Sequence, residues 1–286
     1  MSVLVLGIDA GNNGAKVAGP YGLDISKTAI CGWFKRKVEE THGDDSVEFE
    51  IGGRKGFAGS IAEQEDEFGG GSMFGDTKAH ADTKIRVLLA VNRYVKKYCP
   101  YEQIVKIVVG QPFATHDDSE KQKIKDMLLG NHQFSVDGEQ VHYYIEDVTV
   151  ATEGGGAFWA QPEMGLVRTL DIGSGTTNAV SVKDKKIINN SSDTFDFGSE
   201  TINNKTDFEN MARGIIQNTT KKKWNKDDFV RVCGGTAERI APYLQNHFKN
   251  LEVLKPQFQY RNGVTIAHPV YANAIGFYNI AKGVYR

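Results

Sequence analysis

The sequence lacks the features of membrane-spanning, disulfide-bonded and strongly basic chains. No apolar run approaches the roughly 18 residues that a spanning helix needs. The three cysteines, Cys31, Cys99 and Cys233, lie far apart and form no CxxC pair, which argues against a disulfide framework or a thiolate metal site. A formal net charge of −2 argues against a chain built mainly to neutralise nucleic-acid phosphates. Because the N-terminus also has no basic leader or cleavage site, we predict a soluble cytoplasmic protein.

Several nucleotide and catalytic motifs are missing as well. The stretch GNNGAK at 11–16 is not the GxxxxGK[ST] of a P-loop. The stretch GSGTTN at 173–178 lacks the last glycine of a dinucleotide-binding GxGxxG and leads into a β-type run. There is no GxSxG nucleophile elbow, and the histidines do not have the spacing of a structural zinc site. These absences argue against P-loop, dinucleotide-fold, α/β-hydrolase and zinc proteins.

Glycine is the one over-represented residue: 31 glycines make up about 11% of the chain, against a usual share of about 7%. They cluster at the ends of apolar runs. Val3–Asp9 predicts a buried strand that runs into the turn Gly11-Asn12-Asn13-Gly14, followed by a return strand. Leu166–Asp171 and Gly173-Ser174-Gly175 repeat this pattern in the second half. The repeat, and the alternation of strands with helices, predict an α/β protein of two similar lobes.

Four local features complete this outline. Asp82 is predicted to cap a helix with a core-facing stripe that ends near Val95. A second helix is predicted around Glu200–Asn218. Lys221-Lys222-Lys223 is expected to lie in a solvated loop rather than to contact DNA or an oppositely charged subunit. Gly69-Gly70-Gly71 is expected to form a mobile loop.

An aspartate followed by a glycine turn suits the binding of a metal-chelated phosphate. Successive backbone N–H groups in such a turn can point into one concavity and hold an anion. A carboxylate beside it would repel phosphate unless a divalent cation lay between them. One such strand end is more often an ordinary hairpin. Two in register, at Asp9 and Asp171, predict a polyphosphate gripped from both sides.

Three further stretches are consistent with a nucleotide site, although each has a plain structural explanation. The sequence VCGGTA at 232–237 would let a flat ring lie against backbone, or is simply a helix entry. Glu153, in VATEGGGA at 150–157, places a carboxylate at a glycine-rich helix entry, where it could merely favour the helix N-terminus. The small residues of ANAIGF at 272–277 suit close helix packing or a hinge.

In order, these five elements resemble the phosphate 1, connect 1, phosphate 2, adenosine and connect 2 motifs of the actin, Hsp70 and sugar-kinase superfamily. LDIGSGTTNAV with VATEGGGAFW most resembles the ParM-like bacterial actins that segregate plasmids. The resemblance implies an actin-like α/β fold of two duplicated RNase H-like lobes around a nucleotide cleft. Lobe I would span 1–153, with a IB insert at about 26–82, and lobe II 154–286, with a C-terminal helix that packs back toward lobe I.

The short stretch between Val182 and Gly234 leaves room for little or no subdomain IIB, as in the compact plasmid-segregation actins of the AlfA type. This departure from longer relatives puts full enclosure of adenine by a monomer in doubt. Our hypothesis is that a neighbouring subunit completes that side of the pocket.

The resemblance also implies roles for individual residues. Asp9 and Asp171 would hold hydrated Mg²⁺, and Glu153 would orient or deprotonate the attacking water. Lys16 would reach phosphate oxygens or face solvent. Glu200 would contact the ribose, and Gly198 would lead into a helix on the nucleotide side. The phosphate and adenosine turns would be formed by Gly11, Asn12, Asn13 and Gly14, by Gly173, Ser174, Gly175, Thr176 and Thr177, and by Gly234 and Gly235.

The implied function is an actin-like ATPase that polymerises with Mg-ATP, or with GTP, and drives plasmid DNA segregation. Its partners would be further copies of itself and a DNA-binding adaptor protein on a centromere-like plasmid site, with no direct sequence-specific DNA binding and no membrane. Two alternatives stay open because fold alone does not select a function. One is a pantothenate or sugar kinase of the same superfamily, although no acceptor-binding insert is evident. The other is an Hsp70-like regulatory module, although no substrate domain is appended.

Overall fold

A computed structural model describes residues 3–38, 40–66, 77–202 and 204–285. The predicted glycine loop at 69–71 and part of the predicted IB insert lie outside the described residues. The described residues of the first half contain nine strands and four helices, with a 3₁₀ turn at Phe113–Thr115. In chain order these elements are β1 (Leu4–Ala10), β2 (Gly14–Gly19), β3 (Gly22–Lys27), β4 (Ile30–Gly32), β5 (Val47–Ile51), β6 (Arg54–Ala58), α1 (Ser60–Glu65), α2 (Ala81–Tyr98), β7 (Ile104–Gln111), α3 (Asp118–Leu128), β8 (Gly130–Val136), β9 (Glu139–Thr152) and α4 (Gly155–Ala160).

The nine strands form one sheet in the order β3-β2-β1-β7-β9-β8-β5-β6-β4. Its central strands are almost continuously apolar because the sheet is buried on both faces. The 14-residue β9 is long enough to pair with β7 at one end and with β8 at the other. Strand β8 pairs in turn with β5, β5 with β6, and β6 with β4. The small insert therefore joins the main sheet through β8.

Helix α2 packs its predicted apolar stripe into the core of the first sheet, where Ile85, Leu88 and Val95 are buried. Its cap differs from the prediction. His80 occupies the N-cap and its side chain accepts a hydrogen bond from the Thr83 N–H. Asp82 is the second residue of the helix and forms an ion pair with Arg54, so its carboxylate is engaged elsewhere.

The second half repeats the topology of the first. Its elements are β10 (Leu166–Ile172), β11 (Thr177–Lys183), β12 (Lys186–Ile187), β13 (Asp193–Phe195), α5 (Phe208–Lys221), β14 (Phe229–Gly234), α6 (Ala237–Gln245), β15 (Asn250–Val253), β16 (Gln257–Tyr260), β17 (Gly263–Ile266) and α7 (Ala272–Val284), with 3₁₀ turns at Asn189–Ser191 and Pro269–Tyr271. The order β12-β11-β10-β14-β15 matches β3-β2-β1-β7-β9, with antiparallel and parallel pairs in the same places. The predicted duplication is confirmed.

The segment between β13 and β14 contains one helix, α5, within the part that the structure describes, and no inserted subdomain. The helix begins later than predicted, at Phe208, because the Asp207 side chain caps it by accepting a hydrogen bond from the Asn210 N–H. The lysine run, expected in a solvated loop, begins inside the helix: Lys221 is the last residue of α5, and Lys222 and Lys223 form the turn that follows it. There Lys222 pairs with Asp193, while the neighbouring Trp224 is buried.

The C-terminal helix α7 packs against β1 and β7 of the first sheet and against α4. Close packing requires glycine on both sides. A Cβ on Gly276 would lie 1.7 Å from the Gly156 carbonyl oxygen, and one on Gly7 would lie 2.3 Å from the Ala274 carbonyl oxygen. The small residues at 272–277 therefore serve close packing. The exact boundary between lobes at 153/154 stays a prediction.

Candidate functional site

The two glycine turns lie opposite each other across a cavity of about 400 Å³. The first turn connects β1 to β2, and the second connects β10 to β11. The Asn12 side-chain nitrogen lies 3.2 Å from the position that a Cβ on Gly175 would occupy, so the turns approach each other directly. The lining includes all but three of the predicted site residues: Asp9, Gly11, Asn12, Asn13, Gly14, Lys16, Glu153, Asp171, Gly173, Ser174, Gly175, Thr176, Gly234 and Gly235.

The three residues outside the lining are Thr177, Gly198 and Glu200, which lie at or beside the second turn. A Cβ on Gly198 would lie 2.5 Å from the carbonyl oxygens of Gly173 and Ser174. The Glu200 N–H donates to the Ser174 carbonyl at 2.8 Å, and the Thr177 hydroxyl donates to the Phe197 carbonyl at 2.9 Å. The Glu200 carboxylate pairs with Lys205 instead of reaching the cavity, so the structure does not bring it to a ribose position.

Asp171 is buried among groups that oppose its ionisation. Its side chain lies at the end of β10 and the residue is 8% exposed. Burial, together with the charges of Asp9 and Glu153, raises the pKa of Asp171 from 3.8 to about 6, although Asn273 and Lys16 act in the opposite direction. A divalent cation would relieve this repulsion, so the carboxylates fit a metal that neutralises them.

Asn273, at the start of α7, holds Asp171 in place. Its Oδ1 accepts hydrogen bonds from the backbone N–H groups of Gly154 and Ala157, at 3.1 and 3.0 Å. Because two donors fix the oxygen, the amide nitrogen points toward Asp171 and donates to its Oδ2 at 2.9 Å. One side chain thus connects the C-terminal helix, the entry to α4 and a carboxylate of the second lobe.

Glu153 directly follows the last residue of β9, and its backbone N–H donates to the Gln111 carbonyl at 2.8 Å. Its Oε2 accepts a hydrogen bond of 3.2 Å from Asn178, whose amide also lies 3.4 Å from Asp171 Oδ2. Its Oε1 is buried and lies 3.4 Å from Lys78 Nζ, and it accepts no hydrogen bond from the described residues. The carboxylate is held from one side and has a second oxygen free to accept from a water molecule.

Three residues whose side-chain nitrogens contact the Asp171 or Glu153 carboxylate were not predicted from the sequence. Asn178 is the cross-strand partner of Asp171, just as Lys16 is of Asp9, so the repeat could have revealed it. Asn273 lay within a recognised motif but had no assigned contact. Lys78 precedes α2 and has no local pattern around it; only the folded chain brings it to Glu153.

The cavity fits the phosphates of a nucleotide better than its base. At the phosphate side, both turns have glycines where side chains would close the gap, such as Gly11, whose Cβ would lie 3.1 Å from Lys16 Nζ. At the other side, Gly235 faces open space, with Val270 Cγ2 4.0 Å from its Cβ position. The large apolar residues of the lining are Ile25, Ile172 and Val270. The residues present therefore suit a polyphosphate better than they enclose a base.

The cavity also fits a metal held mainly through water. In the described part of the chain no group of three or more His, Cys, Asp and Glu side chains is arranged to hold a metal ion. Mg²⁺ usually keeps several waters and binds through one or two carboxylates together with substrate phosphates. Asp9 and Asp171 provide such a pair.

Comparison with known families assigns the first half of the chain. Residues 7–156, just over half of the sequence, match the family described as actin like proteins N terminal domain. The chain belongs to the actin-like proteins. The predicted actin-like α/β fold is confirmed, and the matched residues include the first glycine turn, Lys78 and Glu153.

Solved structures of bacterial actin-like proteins have the same fold. AlfA from B. subtilis plasmid pLS32, in a filament, is 18% identical, with a TM-score of 0.78 over 96% of this chain and 97% of that one. An AlfA filament bound to AMPPNP is 18% identical, with a TM-score of 0.74 over 96% and 98%. A 15-stranded ParM filament from Clostridium botulinum is 17% identical, with a TM-score of 0.75 over 99% and 100%. The predicted likeness to ParM and AlfA is confirmed at the level of the fold.

No curated protein sequence gives a significant match. Among the residues described, none of the helices is both long enough and apolar enough to cross a membrane.

Proposed function

We propose that the chain is a cytoplasmic actin-like ATPase that binds Mg-ATP, or Mg-GTP, in the cavity between its lobes and polymerises into filaments that segregate plasmid DNA. The observation that supports nucleotide binding is the meeting of two duplicated glycine turns, with Asp9, Asp171 and Glu153 beside them in one cavity. A metal-chelated polyphosphate would offer oxygens to the two glycine turns and a cation to the repelling carboxylates.

Each group in the cavity has a role in this proposal. The N–H groups of the two turns and Lys16 would bind phosphate oxygens, and Asp9 and Asp171 would orient the waters around the metal. Bound Mg²⁺ would neutralise charge that develops on the phosphates. Glu153 would accept a proton from the attacking water through Oε1, a contribution of about 10²–10⁴ in rate. Gly234 and Gly235 would lie against the adenosine.

Filament formation is proposed from the relatives, because the similar AlfA and ParM structures are filaments and one AlfA filament holds AMPPNP. Closure of the lobes on the nucleotide would create complementary head-to-tail surfaces, and such contacts give an open polymer unless the rotation closes a ring. A DNA-binding adaptor protein would connect the filament to a centromere-like plasmid site, so direct sequence-specific DNA binding is not required.

High-speed sedimentation with Mg-ATP, Mg-GTP, Mg-ADP or no nucleotide, with phosphate release followed in parallel, tests the proposal. Triphosphate-dependent pelleting accompanied by phosphate release is expected. ATP consumption that occurs only after a small acceptor such as pantothenate or a sugar is added would indicate the kinase alternative instead. Pelleting to the same extent with and without nucleotide would contradict a nucleotide-driven filament.

A further inference from the structure

The cavity contains the two loosest lysine–carboxylate pairs of the described residues. Lys16 Nζ lies 3.4 Å from Asp9 Oδ2, and Lys78 Nζ lies 3.4 Å from Glu153 Oε1. Every other Lys or Arg ion pair in the described part of the chain has an N–O distance of 3.1 Å or less, including pairs at the surface. Charge-assisted contacts normally close to about 2.7–2.9 Å. The long pairs therefore mark ammonium groups whose present partners do not satisfy them.

Of the two lysines, only Lys16 was predicted from the sequence to line the site, and Lys78 was not. Its ammonium has three donors, and in the described residues it makes one hydrogen bond, of 3.3 Å to the Ala10 carbonyl, beside the long pair with Glu153. Its side chain is only 14% exposed, so bulk water reaches it poorly. A largely buried ammonium with spare donors is costly unless an anion completes its shell. The cavity that it lines is the place from which such an anion would come.

Glu153 is affected by the same contact. Its Oε1 accepts no hydrogen bond from the described residues, and Lys78 is its nearest cation. While the ammonium remains there, it competes with a water molecule for this oxygen. Movement of Lys78 by a short distance toward a phosphate would leave Oε1 to that water, while Asn178 continues to hold Oε2.

We infer that Lys78 binds the terminal phosphate of a nucleoside triphosphate and that this binding frees Glu153 Oε1 for the attacking water. The inference rests on the proposed function, in which Glu153 marks the end of the cavity where the terminal phosphate lies. Lys78 then distinguishes triphosphate from diphosphate, because only a triphosphate supplies an anion beside Glu153. Lys16, paired with Asp9, does not make this distinction.

Lys78→Met removes the charge and keeps most of the side-chain volume. The matched control is Lys27→Met, since Lys27 borders the same cavity but pairs with Glu63, which is not part of the cavity lining. Affinities for Mg-AMPPNP and Mg-ADP are measured by calorimetry below the assembly concentration. Lys78→Met is expected to weaken Mg-AMPPNP about 10- to 100-fold and Mg-ADP less than about twofold, the loss of one charge-assisted contact. Lys27→Met should keep the wild-type ratio of the two affinities, and Lys78→Arg should restore most of it.

A second measurement uses the unaltered protein, so it does not depend on the folding of any variant. Lysine acetylation, quantified by mass spectrometry, should slow several-fold at Lys78 with Mg-AMPPNP relative to Mg-ADP, with no such difference at Lys27. Equal protection by both nucleotides, or an unchanged affinity ratio in a folded Lys78→Met variant, would overturn the inference while leaving the proposed function intact. Failure of the wild type to bind either nucleotide would overturn both.

Discussion

Replacing Asp171 with asparagine is expected to stabilise the nucleotide-free protein and, at the same time, to abolish its binding of Mg-nucleotide. The buried carboxylate has a pKa of about 6 in the folded state, against 3.8 as its ordinary value. Below pH 3.8 the group is protonated in both states and has no effect. As the pH rises from there to 6, the folded state retains a proton that the unfolded state has lost, so stability falls, and above 6 the full loss persists.

The magnitude follows from the same two values. At about 1.4 kcal/mol per pKa unit, ionised Asp171 lowers the free energy of unfolding by about 3 kcal/mol above pH 6. The penalty falls below about 1 kcal/mol at pH 4, where most of the group is protonated in the folded state and part of it in the unfolded state. Asp171→Asn carries no charge and can still accept the hydrogen bond from Asn273. The variant should therefore exceed the wild type by up to about 3 kcal/mol at pH 7.5 and by little at pH 4.

Urea unfolding of the nucleotide-free proteins at several pH values between 4 and 7.5 measures this difference. Asp24→Asn is the matched control, because Asp24 is 3% exposed yet pairs with both Arg93 and Lys97. Its neutralisation removes the carboxylate that Arg93 and Lys97 share, leaving Arg93 only its pair with Asp44, and should destabilise the fold. Addition of Mg-AMPPNP should stabilise the wild type and not Asp171→Asn. An Asp171→Asn variant that is less stable at pH 7.5, or whose difference from wild type does not depend on pH, would refute the reasoning.

Three further predictions concern catalysis, packing and the open side of the pocket. Glu153→Ala should keep nucleotide-dependent pelleting but slow phosphate release about 10²–10⁴-fold, and with it disassembly, so unchanged turnover would contradict the role of Glu153. Gly276→Ala should lower the free energy of urea unfolding by about 3 kcal/mol or more, since its Cβ would lie 1.7 Å from the Gly156 carbonyl oxygen. Gly283→Ala on the same helix meets nothing within 4 Å and should stabilise by up to about 1 kcal/mol; similar effects of the two would refute the packing argument. If a neighbouring subunit covers the base, nucleotide should bind more tightly above the assembly concentration than below it, and equal affinities would count against that hypothesis.

The sequence was sufficient to predict the fold because its strongest signals are local and repeated. An apolar strand, an aspartate and a glycine turn occur twice, and each copy folds into a hairpin followed by a parallel strand. Helix ends were predicted less well, since caps depend on single side chains. His80 rather than Asp82 is the N-cap of α2. The N-cap of α5 is Asp207, and the backbone N–H groups of Ser199 and Glu200, which precede it, donate hydrogen bonds to the second glycine turn.

The side chains that complete the site could be predicted only in part, because most of them approach it from distant points of the chain. Asn273 contacts Asp171 although 102 positions separate them in the sequence. Lys78, within the predicted IB insert, likewise contacts Glu153, which lies far along the chain. No spacing rule connects such pairs. Glu200 illustrates the opposite error: its position after Gly198 predicted a ribose contact, yet its backbone supports the turn while its carboxylate turns to Lys205.

The two lobes share an architecture but differ in the residue that lies opposite the equivalent aspartate on the neighbouring strand. In the first hairpin, Lys16 is the cross-strand partner of Asp9, and in the second, Asn178 is the partner of Asp171. The lysine supplies a cation to its own carboxylate, whereas the asparagine supplies only an amide that it shares with Glu153. The second lobe therefore holds a carboxylate that burial and its neighbours keep from ionising easily until a cation arrives. Closure of the lobes around a metal-chelated phosphate would bring that cation to Asp171 and satisfy Lys16 and Lys78 in the same step. The nucleotide would then stabilise the closed shape through charges that the contacts within the described residues balance only in part.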